Sequence, residues 1–272
     1  MSVSGSPGLY PHKALIARSF GRAATAYDAL AKLQGASALE LIERLPHDLH
    51  TPWVLDLGAG TGHGALALER ALPGATVVAL DLAEGMMRHA FNQGLQTCLI
   101  GDAESLPLAA GVFDVVFSNM AIQWCASPLD VFRESFRVLK PGGQMFFTSF
   151  GPQTLVELRD AWRTVDEEVH VNPFFSVADL NEAIEGAGFH GSEVFSRRYS
   201  LEYPDVMTLM RELKGIGASN QMPGRAGYLT GKGRFLKMMA AYPVIEGPFG
   251  SMILATFDVV IGSFYRPKGE CP

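Results

Sequence analysis

Paired cysteines, a surplus of positive charge and a long apolar run are all missing from this 272-residue chain. Its three cysteines, Cys98, Cys125 and Cys271, stand far apart and form no Cys-x-x-Cys pair. A disulfide framework and a thiolate zinc site are therefore disfavoured, and no metal is expected. Lysine and arginine number 22 against 28 acids, a net charge of −6. That speaks against a general nucleic-acid binder, which needs a broad basic surface. Nothing approaches the roughly 18 consecutive apolar residues of a membrane span. The opening stretch, Met1–Lys13, has no apolar core of a secretory signal, so a cytoplasmic location is expected. What the chain does have is 48% hydrophobic residues against 18% charged ones, ample for a buried core and too apolar for disorder.

The apolar residues fall into a rhythm. After a loose Gly- and Pro-containing tail (1–12), a helical pattern runs from about Ala14 to Leu45, with Leu30, Leu33, Leu41 and Leu45 on one face. Pro46 stops it. Short apolar segments then alternate with helical ones. Strands are predicted at Trp53–Leu57, Thr76–Leu80, Thr97–Ile100, Phe113–Ser118 and Gln144–Thr148, with helices at Gly64–Ala71, Gly85–Phe91 and Leu129–Leu139. Strands apolar throughout imply burial on both faces, hence a mostly parallel sheet covered by helices. The alternation is that of a doubly wound α/β domain. Two more helices (Thr154–Glu168, Val177–Ala187) and two more strands (Phe189–Tyr199, Ser251–Tyr265) bring the expected sheet to seven strands. Between those last strands lies an insertion with helices at Met207–Lys214 and Gly233–Ala241 around a Gly-rich loop. The expected units are a tail and helical cap (1–45), an α/β core (46–200), a helical lid (201–250) and a final strand with its tail (251–272).

The first strand hands over to its helix through Asp56-Leu57-Gly58-Ala59-Gly60-Thr61-Gly62. Glycines tolerate the dihedrals of a tight turn and let a ligand approach the backbone, and the carboxyl edge of such a sheet is where ligands bind. A nucleotide-type cofactor is expected. Gly60-x-Gly62-x-x-Ala65 also fits the loose dinucleotide fingerprint, so the glycines alone do not choose between cofactors. Asp81, ending the second strand, suits the two hydroxyls of a ribose in either case. Asp102, after the third, suits an adenine edge. Asp56 suits a cationic amino-acid tail and would repel a pyrophosphate. Asp56 and Asp102 favour S-adenosylmethionine, which carries an ammonium and a sulfonium and no phosphate. Arg137–Gly143, ending in Lys-Pro-Gly-Gly, announces the fifth strand.

Over about residues 50–150 this arrangement resembles the class I S-adenosylmethionine-dependent methyltransferases, with their Rossmann-like sheet. The likeness also implies cofactor contacts from Leu82, Ala103, Asn119 and Gln34, beside Asp56, Gly58, Gly60, Asp81 and Asp102. The flanks narrow the family. Phe20–Asp28 with Gln34, Asn119–Trp124, Phe147–Gly151, Thr154–Leu158, His170–Phe174 and Leu209–Ala218 resemble the malonyl-acyl-carrier-protein O-methyltransferases of biotin synthesis, so that the similarity runs from about Phe20 to Phe264. Ala59 departs from the cysteine common in that family, at a position where the turn uses its backbone.

The resemblance implies methyl transfer to the free carboxylate of a malonyl thioester on acyl-carrier protein. A carboxylate, with an ordinary pKa of about 4, is already ionised at neutral pH, so no general base is expected. Alignment and exclusion of water should carry the catalysis. Tyr27 and Trp124 are candidates to wall the reacting atoms and Gln123 to orient a substrate oxygen. Arg211, then Lys214, are candidates to select the malonyl carboxylate through paired hydrogen bonds. His170 carries no assignment. Between Arg197 and Lys237 there are eight bases (Arg197, Arg198, Arg211, Lys214, Arg225, Lys232, Arg234, Lys237) and three acids (Glu202, Asp205, Glu212). Carrier proteins are acidic, so Arg197, Arg198, Arg225, Lys232, Arg234 and Lys237 are the expected docking surface. Two other readings stay open: a methyltransferase of a free small molecule, and a non-catalytic protein that binds S-adenosylmethionine.

Overall fold

A computed structural model describes residues 12–46, 48–218, 231–247 and 250–269. Arg225, Cys271, most of the expected tail and the Gly-rich loop of the insertion lie outside them. The chain begins with α1 (Lys13–Leu30) and α2 (Lys32–Ile42), followed by β1 (Trp53–Leu57), α3 (His63–Ala71), β2 (Thr76–Asp81), α4 (Glu84–Asn92) and β3 (Cys98–Ile100). Then come β4 (Phe113–Asn119), a 3₁₀ turn at Ile122–Trp124, α5 (Pro128–Val138), β5 (Leu139–Phe150), α6 (Val156–Arg163), α7 (Val177–Gly186) and β6 (His190–Tyr203). Between β6 and β8 (Gly250–Tyr265) come α8 (Val206–Gly215), α9 (Lys232–Ala241) and a short β7 (Ile245–Gly247) that folds back on β8.

The sheet runs β3-β2-β1-β4-β5-β8-β6. Strands β1 to β5 are parallel, and β8 enters antiparallel between β5 and β6. Seven strands thus form the expected mostly parallel sheet, and β7 adds an eighth beside β8 that the sequence pattern did not announce. Chain order reverses between β1 and β4, so their carboxyl ends open a crevice there. Both faces are buried. One carries Leu41, Leu68, Phe117 and Trp162, the other Phe132, Phe147, Leu180 and Phe264. Adjacent β4 residues Val116 and Phe117 point to opposite cores, which is why the strand reads as continuously apolar.

Three local differences from the sequence pattern have physical reasons. The cap is two helices, broken at buried Ala31 (φ −81°, ψ 45°) without proline or glycine. The break lets α1 lie on α4 while α2 lies on α3. Strand β5 starts at Leu139 instead of Gln144, because Lys140–Gly143 forms an irregularity in the β4–β5 ladder and does not end it. Helix α6 is shorter than the pattern, starting after Leu155, whose φ of +54° is left-handed. Among the described residues no helix is long and apolar enough to cross a membrane.

Candidate functional site

The turn after β1 is fixed from its backbone outward. The Gly58 and Ala59 N–H groups both donate to Leu80 O at the end of β2, at 2.8 and 3.0 Å. Gly58, Gly60 and Gly62 all have positive φ, at +77°, +56° and +86°. Each is needed for a different reason. A Cβ on Gly58 would stand 2.2 Å from Ala121 Cβ, and one on Gly62 would stand 2.3 Å from Leu95 Cδ1. A Cβ on Gly60 would meet nothing within 4 Å; that residue faces open space, the space a ligand would use.

Two adjoining clefts open there, of about 730 and 740 Å³. They share Tyr27, Gly58, Gly60 and Asn119. The first is further lined by Asp81, Leu82, Asp102, Ala103, Glu104, Trp124 and Cys125, with Lys13, Ile16 and Phe20 from α1. Asp56, Thr61, Gln34, Asp28, Lys32 and His63 are among those lining the second. Every residue expected to touch the cofactor therefore lines one cleft or the other, as do Tyr27 and Trp124.

Carboxylates dominate the site. Asp56 is 2% exposed, and its Oδ2 has no hydrogen-bond partner. Burial, then the charge of Asp81, pushes its pKa up to about 7. Asp81 accepts from the Gly60 N–H at 2.9 Å and the Ala83 N–H at 2.8 Å, tying the glycine turn to the start of α4. Its burial also raises its pKa, against the pull of those amides. Asp102 and Glu104 add two more acids on the first cleft. An acid-lined crevice with an unpartnered buried carboxylate suits a cationic ligand and repels phosphate. The charge and lining of the site fit S-adenosylmethionine, a cationic cofactor without phosphate.

Some expected side chains have other work. Asn119 accepts from the Ser37 hydroxyl at 2.8 Å and the Thr148 hydroxyl at 2.7 Å, while its Nδ2 donates to Gln34 O at 2.9 Å. It staples α2 to β4 and β5 at the cleft floor. Gln123 lines neither cleft. It is buried, donates to Met120 O at 2.6 Å and accepts from the Ser149 hydroxyl at 3.3 Å. It thus braces the turn after β4, where Met120 holds a left-handed φ of +53°. Arg211 and Lys214 on α8 are exposed and line neither cleft. Among the described residues, the lysines that do are Lys13 and Lys32.

Parts of the expected basic face are also committed internally. Arg197 pairs with Glu40 at 2.7 Å. Arg234 pairs with Asp166, and with Glu168 at 3.1 Å. His170, which meets Asp166 at 2.8 Å, stacks on Trp162 with ring centroids 3.7 Å apart. Arg198, Lys232 and Lys237 stay exposed. The sequence reading missed Lys13, Ile16 and Phe20. Their signal was available: counted back from Tyr27 in successive steps of seven, four and three, Phe20, Ile16 and Lys13 fall on one face of α1.

A sequence model described as a methyltransferase domain matches residues 55–147. The malonyl-acyl-carrier-protein O-methyltransferase of Methylococcus capsulatus is 40% identical over 255 residues, 92% of this chain and 92% of that protein. The corresponding protein of Serratia marcescens is 38% identical, over 94% and 96% of the two chains. The biotin biosynthesis bifunctional protein BioHC of Cellvibrio japonicus is 41% identical over 91% of this chain, which spans 49% of that longer protein. Among solved structures, the YcgJ protein of Bacillus subtilis superposes with a TM-score of 0.60 at 17% identity, covering 86% of this chain and 99% of its own. A Haemonchus contortus phosphoethanolamine N-methyltransferase 2 in complex with S-adenosyl-L-methionine gives 0.55 at 19%, covering 85% of this chain and 52% of its own. These last two likenesses concern the fold alone.

Proposed function

The chain belongs to the malonyl-acyl-carrier-protein O-methyltransferase family, and from that premise we propose that it esterifies the free carboxylate of a malonyl group carried on acyl-carrier protein. The observation that carries the reading is the acid-lined, glycine-floored pair of clefts, with Asp56 buried and one oxygen unpartnered. S-adenosylmethionine, when bound, supplies an electrophilic methyl group that a carboxylate can accept without prior loss of a proton. Asp56, Asp81 and Asp102 hold it by its ammonium, ribose and adenine. Phe20, Trp124 and Tyr27 exclude water: the Phe20 and Trp124 rings meet edge to face, 5.1 Å apart at 79°. Water would stabilise the separated anion and sulfonium more than the transition state in which their charges cancel, so a dry wall favours reaction.

Tyr27 stands where the two clefts meet. Burial, and the nearby charges of Asp81 and Asp28, raise its phenol above the ordinary value. It therefore stays protonated and has a proton to donate in a hydrogen bond. In this reading it holds the non-attacking oxygen of the malonyl carboxylate, a role expected of Arg211 or Lys214 until their exposure on α8 is considered. Mass spectrometry of malonyl carrier protein incubated with the enzyme and S-adenosylmethionine tests the function. A gain of one methyl group on the acyl moiety supports it. An unchanged carrier beside methylated free dicarboxylates would move the assignment to a small-molecule enzyme.

Docking of the acidic carrier rests on Arg198, Lys232 and Lys237, three exposed members of the basic set. Reversing all three charges to glutamate is expected to raise KM for malonyl carrier protein about tenfold, by slowing electrostatically steered encounter. KM for a short malonyl thioester should stay within about twofold, since it lacks the acidic surface. Equal changes for both substrates would remove the docking role.

A further inference from the structure

We propose that α1 is a strap across the cofactor cleft and that Lys13 is its latch, a reading that rests on the cleft being the cofactor's. The helix lays one face, Lys13, Ile16, Phe20 and Tyr27, along the first cleft and is fastened at both ends. At its far end the Thr61 hydroxyl of the glycine turn donates to Asp28, at 2.5 Å. In the middle its backbone touches α4: a Cβ on Gly85 would lie 2.7 Å from Gly21 O. At its first residue the Lys13 ammonium sits 2.6 Å from Asp102 Oδ2 and 2.5 Å from Glu104 Oε2.

The Lys13 contact differs from an ordinary surface ion pair because Glu104 is covered. The glutamate side chain is 9% exposed and its Oε1 accepts from the Ser127 N–H at 2.7 Å. Among the described residues, Lys13 alone offers Oε2 a counter-charge. Lifting the start of α1 strands a buried carboxylate, which is far costlier than opening an exposed pair. The same ammonium holds the outer oxygen of Asp102, whose Oδ1 accepts from the Glu104 N–H at 3.0 Å. Closing the strap therefore also sets the acid that faces adenine. The helix break at Ala31, between α1 and α2, is the place where the strap pivots. Lys13 is thus a positioning residue whose departure from Glu104 lies on the route by which a nucleoside-sized ligand leaves.

The test is the dissociation rate of S-adenosylhomocysteine, the demethylated cofactor, by stopped-flow displacement, beside hydrogen exchange of the ligand-free protein. Lys13→Gln is expected to release it about tenfold faster. Release from the wild type should quicken with added salt, which screens the more exposed Lys13–Asp102 contact, and release from Lys13→Gln should respond less. Lys13→Arg should stay within about twofold of wild type, the charge being kept. Exchange protection in Lys13→Gln should fall in α1 and persist in β1 to β5. Release at the wild-type rate from Lys13→Gln overturns the latch, and so does loss of protection throughout the sheet, which would make Lys13 a support of the fold. Wild-type protein that binds no S-adenosylhomocysteine would instead defeat the cofactor reading, while the exchange arm still reports on the strap.

Discussion

Asp56→Asn is expected to weaken binding of S-adenosylmethionine by about 100-fold while raising, at pH 8, the melting temperature of the ligand-free protein. The two effects share one cause. Folding takes the Asp56 carboxyl out of water and places it near Asp81, so its pKa rises from about 4 in the unfolded chain to about 7. Between those values the native state keeps a proton that the unfolded state has lost. Stability therefore falls as pH rises from about 4 to about 7 and stays lower above it. Three units correspond to at most about 4 kcal/mol. The asparagine amide lacks that burden but leaves a buried polar group with few partners, so a net gain of about 1–2 kcal/mol is expected at pH 8. Binding runs the other way. A buried cation beside ionised Asp56 is neutralised, and its loss of partner costs about 3 kcal/mol or more.

The pH dependence of binding completes the argument. Below pH 7 the wild type must release a proton from Asp56 before the ammonium can pair with it, so affinity should drop as the solution is acidified. Asp56→Asn should bind weakly and with a flatter profile across the same range. Asp81, also raised by burial, leaves some slope in both proteins. Calorimetric titration at pH 5.5, 7 and 8.5, with melting curves of the ligand-free proteins, decides the matter. An asparagine variant with wild-type affinity would show that the orphaned oxygen of Asp56 serves the fold and no cofactor.

That carboxylate was legible from sequence because its meaning is local: an acid two residues before a positive-φ glycine, near the end of an apolar strand. Gly58, Gly60 and Asp81 were legible for the same reason. Strands β1, β2 and β4 came out close to their observed ends, since burial on both faces leaves a nearly uninterrupted apolar signature. The Lys140–Gly143 segment read as a turn because proline and glycine report local dihedrals and not ladder partners. Gln123 and Arg211 show the opposite limit. Their chemistry suits a substrate, yet whether an amide faces a cleft or braces Met120 depends on strands about 25 residues away. Lys13 was overlooked because its partners Asp102 and Glu104 lie about 90 positions downstream. Helical spacing places it on the Tyr27 face, but only the fold brings that face to the third strand's loop.

Tyr27→Phe is expected to lower kcat by about 10- to 100-fold with KM for the cofactor changed less than about threefold. A hydrogen bond from a neutral donor to a charged oxygen is worth about 1.5–3 kcal/mol, and that range of barrier height gives the range of rate. The ring, which survives the substitution, keeps the wall with Phe20, whose centroid lies 6.3 Å away. A phenol is better suited here than a guanidinium. It holds one carboxylate oxygen without drawing as much charge from the other, which must attack. Because burial and two neighbouring acids keep the phenol protonated, it is a donor throughout the working range and never a base. Rates for wild type and Tyr27→Phe should therefore run parallel between pH 7.5 and 9.5, the substrate being ionised at both ends. A wild-type rate that climbs over this interval and a phenylalanine variant that stays level would identify proton abstraction by the phenolate. Unchanged kcat in the variant would leave Tyr27 as a wall alone, and the hydroxyl without a part in the transfer.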